Sequence, residues 1–479
     1  EKIMRTNILS SIALIFLVSC APTFKGEVKD KSDLKLPKDF LLLSKDKDGV
    51  TSTKNWHEYF KDEKLRSLIE LGLKNNQEIN ILAQEISISQ NEVMARQGEY
   101  LPNLSFRAGY ESERVGEFTS QGVSDATHTL EDGKTIPKTL HNHRVGLAAS
   151  WELDVWAKLR NASEAAYYRA LASKEAQKLA VTHYVAEVAN SYYELLALDR
   201  EKDLIDSYIG VLKQAKELVE AQQNAARVTS LAVKRFQAEV LKNESKKFEI
   251  KQRTVMLENK INRLLGRFPQ EIERTSILLE EISPQSVKLG IPADLLENRP
   301  DIKKATYELE AAKLDVKSTK ARFYPSLSIE AEAGYEAFNR EHLYDRPESI
   351  FTNLAVNLTA PLLNRAAIKA DYFSANNMQL QAIYEYEKSL LYAYAEVTNQ
   401  ISKINNLETI YELKKEQVKV MDDSVEISGI LFKAARVDYV EALLTQRESL
   451  ESKLELVEVK RDQLMSYIDL YRSLGGGWQ

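Results

Sequence analysis

The side chains in this sequence that could do chemistry are few, and they are not arranged for catalysis. The chain of 479 residues contains one cysteine, Cys20, and six histidines. No GxxxxGK phosphate loop, HExxH zinc motif or GxSxG nucleophile turn occurs. His128, His141 and His143 could bind a cation, but a polar loop is the simpler interpretation of their surroundings. We therefore predict a protein that is not an enzyme and that uses no cofactor or metal.

Cys20 stands at a position that is typical of lipid modification. A charged start precedes an apolar run over residues 8–18, which is too short to span a bilayer. Residues 17–20 (LVSC) resemble the bacterial lipobox, where signal peptidase II cleaves and the cysteine receives a diacylglycerol. We expect a leader over residues 1–19, with an ordinary signal peptide and an incidental cysteine as the alternative. Ala21 would permit transport onward to the outer membrane.

The composition excludes several classes of partner. The chain has 65 Lys and Arg against 71 Asp and Glu, for a net charge of −6, and the two signs are interspersed. Because no basic stripe is present, we predict no nucleic-acid binding. The six methionines are not clustered, so a soft-metal relay is not supported either.

The sequence contains an internal duplication. Three pairs of matching segments show it: 186–190 (AEVAN) with 395–399 (AEVTN), 225–228 with 434–437 (both AARV), and 101–105 (LPNLS) with 324–328 (YPSLS). The first two pairs are offset by 209 positions and the third by 223. One structural unit was therefore duplicated. The first copy holds 14 more residues, the difference between the two offsets, which we expect in a loop between residues 105 and 151.

Four segments of about ten residues alternate apolar and polar side chains, which is the pattern of membrane barrel strands. They are residues 103–112, 143–153, 326–337 and 351–361. No segment after Val18 approaches 18 consecutive apolar residues, so a transmembrane helix is not expected and these strands are the candidates for crossing a membrane. A soluble hairpin with one solvated face is the alternative.

Most of the remaining sequence predicts helix. No proline occurs between Pro137 and Pro269 or after Pro361, so helices of about 65 to 70 residues are expected from near residues 155 and 365. Each would reach about 100 Å. Near the C-terminus, a 3.5-residue repeat indicates a coiled coil, formed by Leu443, Leu450, Leu454, Val457, Leu464, Ile468 and Tyr471.

Four strands do not close a barrel within one chain. The smallest single-chain outer-membrane barrels use about eight strands, and open sheet edges are not stable in lipid. We therefore expect the chain to oligomerise, with each repeat supplying one hairpin of strands and a set of long helices.

Three kinds of motif, each present in both repeats, resemble the TolC-like outer membrane factor family from about Trp56 to Leu474. They are the helix starts 76–79 (NQEI) and 299–302 (RPDI), the helix-to-strand joints 101–104 (LPNL) and 324–327 (YPSL), and the returns to helix 151–156 (WELDVW) and 360–364 (APLLN). Proline suits such joints because it fixes φ and supplies no donor. With Cys20, the chain is most similar to the lipoprotein branch that serves RND-type tripartite pumps.

The resemblance implies a fold that is mainly α with a membrane β-barrel, built from a duplicated unit of long coiled-coil helices plus a β-hairpin. It implies a homotrimer with a twelve-stranded barrel and an α-helical periplasmic tunnel. The expected segments are a leader (1–19), a lipidated extended segment (20–60), the first repeat (61–268), an equatorial linker (269–293), the second repeat (294–475) and a tail (476–479).

The resemblance also places a gate at the turns between the long helices. The residues it assigns to that gate are Arg227, Arg436, Asp438, Glu441 and Leu444. Family members commonly carry two acids there. Here Glu441 takes the first acidic position, whereas Leu444 replaces the second, so we expect an acidic constriction beside an apolar one. A solvated helix face is the alternative for each charge.

The implied function is the outer-membrane exit duct of a tripartite efflux pump that passively exports small molecules such as drugs. The implied partners are a periplasmic adaptor (membrane fusion) protein, an inner-membrane RND-type transporter and the lipid of the outer membrane. An exit channel for type I protein secretion is the alternative with the same fold. A periplasmic adaptor is less favoured, because it gives no reason for four amphipathic strands.

Overall fold

The computed structural model describes residues 21–24, 26, 32, 34, 36–38, 55–129, 133, 135–284, 292–293, 299–434 and 436–478. These residues belong to two compact units. The sheet unit contains Ser87–Ala170 and Tyr307–Ile383, together with the described residues before residue 32. The helical unit contains Ser32–Ile86, Leu171–Thr306 and Tyr384–Gln479.

Helices make up most of the described chain. Five shorter ones are α1 (Trp56–Tyr59), α2 (Glu63–Asn75), α3 (Gln77–Glu99), α4 (Ser120–Thr127) and α7 (Pro300–Ala321), and four longer ones are α5 (Lys158–Asn224), α6 (Ser230–Leu264), α8 (Ala366–Lys433) and α9 (Tyr439–Ser473). Helix α5 has 67 residues and α8 has 68, which confirms the lengths expected from the missing prolines. Among the described helices, none combines the length and the apolarity needed to cross a membrane.

The sheet unit is built on four antiparallel strands. They are β1 (Asn103–Arg114), β2 (Thr139–Leu153), β3 (Ser326–Ala337) and β4 (Ile350–Thr359), in the order β1-β2-β3-β4. The register pairs Phe106 with Leu147, and Leu147 with Ala333, so that the apolar positions of neighbouring strands share one face. The predicted strands are confirmed, and so is their alternation.

The two faces of the sheet differ sharply. On the apolar face the side chains of Leu104, Leu147 and Leu354 are 69%, 52% and 72% exposed. The opposite face carries charged side chains, among them Arg107 and Glu332. A contiguous exposed apolar surface of this kind marks a face that contacts lipid or another protein.

Four strand boundaries and one loop differ from the prediction. Strand β1 ends at residue 114 instead of 112 and β2 begins at 139 instead of 143, because backbone pairing continues to Arg114 and Thr139 after the alternation is lost. Strand β4 is Ile350–Thr359 instead of 351–361, since Pro361 has no N–H for the ladder. The inserted loop contains α4, which Thr119 caps by accepting from Gly122 N at 3.1 Å.

The return from β2 to α5 is fixed by Asp154. Its carboxylate accepts from the backbone N–H groups of Leu159 at 3.0 Å and Arg160 at 2.9 Å, which are otherwise unpaired in the first helical turn. Burial opposes ionisation, but these bonds hold the pKa of the Asp154 carboxyl below its ordinary value. Nearby, Trp156 Nε1 donates to the carbonyl of Pro325 at 2.8 Å. This bond connects the return from β2 to α5 with the joint between α7 and β3.

The helical unit repeats its own helix ends. Helices α6 and α9 have 35 residues each, and each is followed by a left-handed glycine, Gly266 with φ 66° and Gly475 with φ 82°. Glycine adopts this conformation without steric cost. Gly266 is also required for steric reasons, because a Cβ at this position would lie 2.5 Å from the carbonyl oxygen of Asn75.

The core of the helical unit forms where α5 meets α6, α9 and the first helices. Tyr192 and Leu195 of α5, Ile261 of α6 and Ile69 of α2 are fully buried in one cluster. Tyr471 of α9 stacks on Tyr59 with ring centroids 4.1 Å apart. Burying a large apolar side chain contributes about 1.5–3 kcal/mol, so this cluster anchors the repeats to each other.

Candidate gate at the helix tips

The first helix tip is a tight turn between α5 and α6. Ala226 has a left-handed backbone with φ 55°, and Arg227 N donates to the carbonyl of Gln222 at 2.9 Å while Ala226 N donates to that of Gln223 at 2.8 Å. These two bonds form a Schellman motif, which usually has glycine where Ala226 lies. The turn therefore retains a strained alanine.

The second tip repeats this geometry 209 residues later. Arg436 N donates to the carbonyl of Leu431 at 2.9 Å, as Arg227 N does to Gln222, and Ala434 N donates to Ile430 at 3.1 Å. Helix α9 then begins after Asp438, whose side chain makes no capping hydrogen bond. The duplication detected in the sequence therefore extends to the backbone of both turns.

The structure brings the two tips together on one apolar cluster. Val228 follows the first turn and Tyr439 follows the second, and both pack against the cluster that contains Ala232 and Phe236 of α6. Leu443 of α9 packs on the same cluster. The predicted gate residues therefore lie beside one apolar cluster that both tips share.

The charged gate residues are exposed to solvent beside this cluster. Arg227, Arg436, Asp438 and Glu441 all face solvent. In the part of the chain that the structure describes, no ion pair joins either arginine to an acid within a single copy. Within the described residues, the two tips are therefore held by apolar contacts and not by ion pairs of these arginines.

Glu441, Leu444 and Glu448 lie on one exposed face of α9. The sequence analysis did not identify Glu448. Leu444 is 37% exposed. Glu448 is also exposed and lies seven residues beyond Glu441, so the three side chains follow helical spacing i, i+3 and i+7. Along the helix Glu448 lies about 10 Å from Glu441. Glu448 therefore supplies a second carboxylate on the face where Leu444 stands in place of an acid. The helical spacing from Glu441 could have indicated this residue from the sequence.

The polar face of the sheet carries a second charged arrangement. Glu332 on β3 accepts from Arg107 of β1 at 2.5 Å and from Arg144 of β2 at 2.9 Å. The Arg144 guanidinium lies 4.2 Å from the ring centroid of Phe351 on β4. Gly334 lies between them on β3, where a Cβ would come within 3.0 Å of the Phe351 ring. This cross-strand contact therefore depends on a glycine.

The histidines singled out in the sequence lie among the described residues, where two of them contact one tyrosine. His141 lies 2.7 Å from the hydroxyl of Tyr110, and the rings of His143 and Tyr110 are in contact. Within the described residues, no group of three or more His, Cys, Asp or Glu side chains could hold a metal ion. Cys20 lies outside the described residues.

Comparison with known proteins places these features in a family. Residues 68–267 and 291–476 match the sequence profile described as outer membrane efflux protein. The pyoverdine export outer membrane protein OpmQ of Pseudomonas aeruginosa is 23% identical over 448 residues, covering 94% of this chain and 92% of that protein. The toluene efflux pump outer membrane protein TtgI of Pseudomonas putida is 25% identical over 431 residues, covering 88% and 87%.

The fold is also shared with solved structures. The open-state structure of the MtrE outer membrane channel of Neisseria gonorrhoeae superimposes with a TM-score of 0.81 at 20% identity, covering 96% of this chain and 98% of that one. The chain therefore shares the fold of that channel.

Proposed function

The chain belongs to the outer membrane efflux protein family, and we propose that three copies of it form the exit duct of a tripartite efflux pump. The four-stranded sheet carries this proposal, because it has an apolar face, a polar face and two outer strands, β1 and β4. In lipid, the backbone groups of those outer strands need partners. If β4 of each copy pairs with β1 of the next, three times four strands give a closed ring of twelve.

The sheet would line the duct, and the helix tips would close it. A closed ring with the apolar face outward directs Arg107, Arg144 and Glu332 toward the water-filled interior. At the helix tips, threefold symmetry repeats Glu441 and Glu448 around one axis as rings of negative charge. Such rings favour cations, and Leu444 adds an apolar constriction between them. This arrangement supports a duct that is closed at rest and opened at its tips.

The cargo that we propose is a small molecule. Two relatives of the chain are a pyoverdine export protein and the outer membrane protein of a toluene efflux pump, which favours small-molecule efflux over type I protein secretion. The proposed partners are a periplasmic adaptor protein and an inner-membrane RND-type transporter. The adaptor would bind the tips and spread them apart.

Lipid attachment at Cys20 completes the proposal. The apolar run and the single cysteine support it, and a diacyl-plus-amide anchor binds a membrane stably where one acyl chain does not. Mass spectrometry of the purified N-terminus tests it. An unmodified Cys20, or a mature chain that starts elsewhere, contradicts the anchor without affecting the duct.

The duct itself is tested in cells and in detergent. Deleting the gene should raise the accumulation of a fluorescent efflux dye, and the wild-type gene should restore export. Light scattering of the extracted protein should give the mass of three chains. A stable monomer or dimer contradicts the trimer, and unchanged dye accumulation together with loss of a secreted protein favours the secretion function.

A further inference from the structure

The apolar face of the sheet has a boundary at each end. On β2, Trp151 lies near the joints to the helices, and His143 lies near the loop end, where hairpins connect β1 to β2 and β3 to β4. The eight-residue step between them spans about 27 Å along the strand, which is about 20 Å in height at a strand tilt of about 40°. This height is close to the apolar band of a membrane barrel, about 25 Å. His143 and its partner Tyr110 on β1 therefore mark the upper boundary of that band.

Beyond this boundary the same face becomes basic. Further toward the loop end it carries His141 of β2 and Arg114 of β1, and both side chains are exposed. The register places Ser112 opposite His141 and Thr139 opposite Arg114, so that neither basic residue has an acid as its partner across the strands. Arg114 and His141 therefore form a basic extension of the apolar face.

Another cation reaches this face from the second hairpin. The guanidinium of Arg346 lies 5.4 Å from the ring centroid of Tyr335 on β3, and Tyr335 pairs with Val145 on the apolar face. Tyr344 packs edge-on against Tyr335, with ring centroids 5.6 Å apart. A guanidinium that lies on a ring still has N–H donors to offer. Among the described residues, no carboxylate lies within ion-pair distance of Arg346 or Arg114.

The acids of the strands all lie on the opposite, polar face. They are Glu111, Glu113, Glu152, Glu330, Glu332 and Glu336. Where the outward face stops being apolar, it therefore takes up charge of one sign only. Separating the two signs in this way costs favourable pairing in water, whereas it is favourable against anionic headgroups, which attract cations near the membrane surface.

Tyr110 orients the imidazole of His141. The Tyr110 hydroxyl lies 2.7 Å from Nδ1 of His141, and the two rings are nearly parallel with centroids 5.9 Å apart. With the hydroxyl donating to Nδ1, the neutral ring carries its proton on Nε2. That N–H is a donor for an anion beside Arg114. The ring of His143 contacts the same tyrosine, with centroids 5.1 Å apart, so three rings form one group.

We propose that this basic belt, formed by Arg114, His141 and Arg346, binds the phosphate groups of an anionic glycolipid in the outer leaflet of the membrane. The proposal rests on the proposed function, which places the apolar face in lipid. A guanidinium binds phosphate through two parallel N–H donors. Tyrosines at the headgroup level, here Tyr110 and Tyr335, fix the depth of the belt. Since the belt continues the apolar face without a break, a lipid fits it better than a soluble protein.

The depth of the belt suits a headgroup. Arg114 lies four residues beyond Tyr110, which is about 10 Å in height at the same tilt. The headgroup layer on each side of the hydrocarbon is about 5–8 Å thick. The long side chain of an arginine can reach back toward the hydrocarbon boundary. The guanidinium of Arg114 is therefore able to contact a phosphate within this layer.

Lipid binding by the extracted full-length protein tests the proposal. Native mass spectrometry counts the molecules of bisphosphorylated lipid A that the protein binds from mixed micelles as the lipid concentration rises. The double variant Arg114→Gln with Arg346→Gln should bind this lipid with roughly 10- to 30-fold lower affinity. The matched control is Arg107→Gln, which removes the same charge from β1 on the polar face. Its affinity should change by less than about twofold, because that face is screened from the headgroups.

A second lipid and a second variant test the chemistry. The same glycolipid without its phosphates should bind the wild-type protein as weakly as lipid A binds the double variant. His141→Phe keeps a ring beside Tyr110 but removes the donor, and it should also lower the affinity for lipid A. Equal Tm values without glycolipid confirm that the variants are folded.

The outcomes separate the lipid site from the duct. Equal affinity of the wild type and the double variant for lipid A overturns the site, and so does equal affinity of the wild type for the two lipids. An equal loss in Arg107→Gln also overturns it, because net charge would then explain the binding. An unchanged affinity in His141→Phe overturns the contact assigned to His141. A wild-type protein that is monomeric by light scattering, or absent from the outer-membrane fraction, overturns the proposed function instead.

Discussion

Arg299 donates a hydrogen bond to the backbone carbonyl of Ser473 at 2.5 Å, and in the other repeat Asn76 donates to the carbonyl of Leu264 at 2.9 Å. The first residue of each pair precedes a helix start, and the second is the last residue of α9 or α6. The two repeats therefore tie helix start to helix end at equivalent places. They use an arginine in one case and an amide in the other.

We expect Arg299→Ala to destabilise the protein far more than Asn76→Ala. Arg299 is buried and also pairs with Asp301 at 2.8 Å and Glu396 at 2.9 Å. Its removal leaves Asp301 without its partner, leaves Glu396 paired with Arg472 alone and frees the Ser473 carbonyl, which together cost about 3–5 kcal/mol. Asn76→Ala loses the bond to Leu264 and the helix cap that accepts from Ile79 N at 3.0 Å, which costs about 1–2 kcal/mol. Thermal unfolding of the extracted protein measures both. Equal shifts in Tm would contradict the role given to Arg299.

We expect Asp154→Ala to weaken the start of α5 by about 1–2 kcal/mol, because two backbone N–H groups lose their acceptor. The pKa of Asp154 is lowered in the folded chain. Its contribution is therefore fully present above the unfolded pKa, about 3.9, and is lost as pH falls through the lower folded value. The Tm difference between wild type and variant should shrink as the pH approaches 3. Thr119→Ala, which removes the uncharged cap of α4, is the control, and its Tm difference from wild type should not follow this trend.

We expect Glu441→Gln and Glu448→Gln each to reduce the cation selectivity of the duct in planar-bilayer recordings. Each substitution removes three charges at once in a trimer, and rings of carboxylates favour cations. Glu63→Gln serves as a control, because α2 packs near Tyr471, at the end of α9 remote from the tips. If only Glu441→Gln has an effect, Glu448 is an exposed surface residue. If neither has one, the acidic constriction lies elsewhere.

We expect Leu147→Arg to hinder assembly in the membrane, whereas Ser150→Arg should be tolerated. Leu147 is exposed on the apolar face, where an arginine near the bilayer midplane costs about 2–4 kcal/mol. Ser150 lies on the other face opposite Glu330 of β3, which an arginine can pair with. The amount of trimer in the outer-membrane fraction measures the effect. Equal loss for both variants would mean that Leu147 does not face lipid.

The elements of the fold were largely predictable because their patterns are local. Alternation at Leu104 and Leu147 indicated strands, and the absence of proline indicated the length of α5. The ends of the strands were less predictable. Pairing of Arg114 with Thr139 depends on a backbone partner across the sheet, which no side-chain pattern records.

The candidate site was predictable only in part. The repeated turns placed Arg227 and Arg436 at the tips, and the structure agrees. Contacts between distant segments could not be predicted in this way. Arg144 and Phe351 are brought together by the pairing of β2 with β3 across the two repeats, and the sequence does not specify which strands become neighbours. Glu448 was missed for another reason, since the comparison of motifs ended at Leu444.

Val457 and Phe248 occupy matching places in the two repeats, yet the first is covered by its own chain and the second is not. Packing within one chain therefore buries this position of α9 and leaves the corresponding position of α6 open to solvent. Until it is covered, the exposed apolar surface is open to aggregation and proteolysis. If the proposed assembly covers this surface, the fraction of chains that escape aggregation and proteolysis should rise with the concentration of newly made chains.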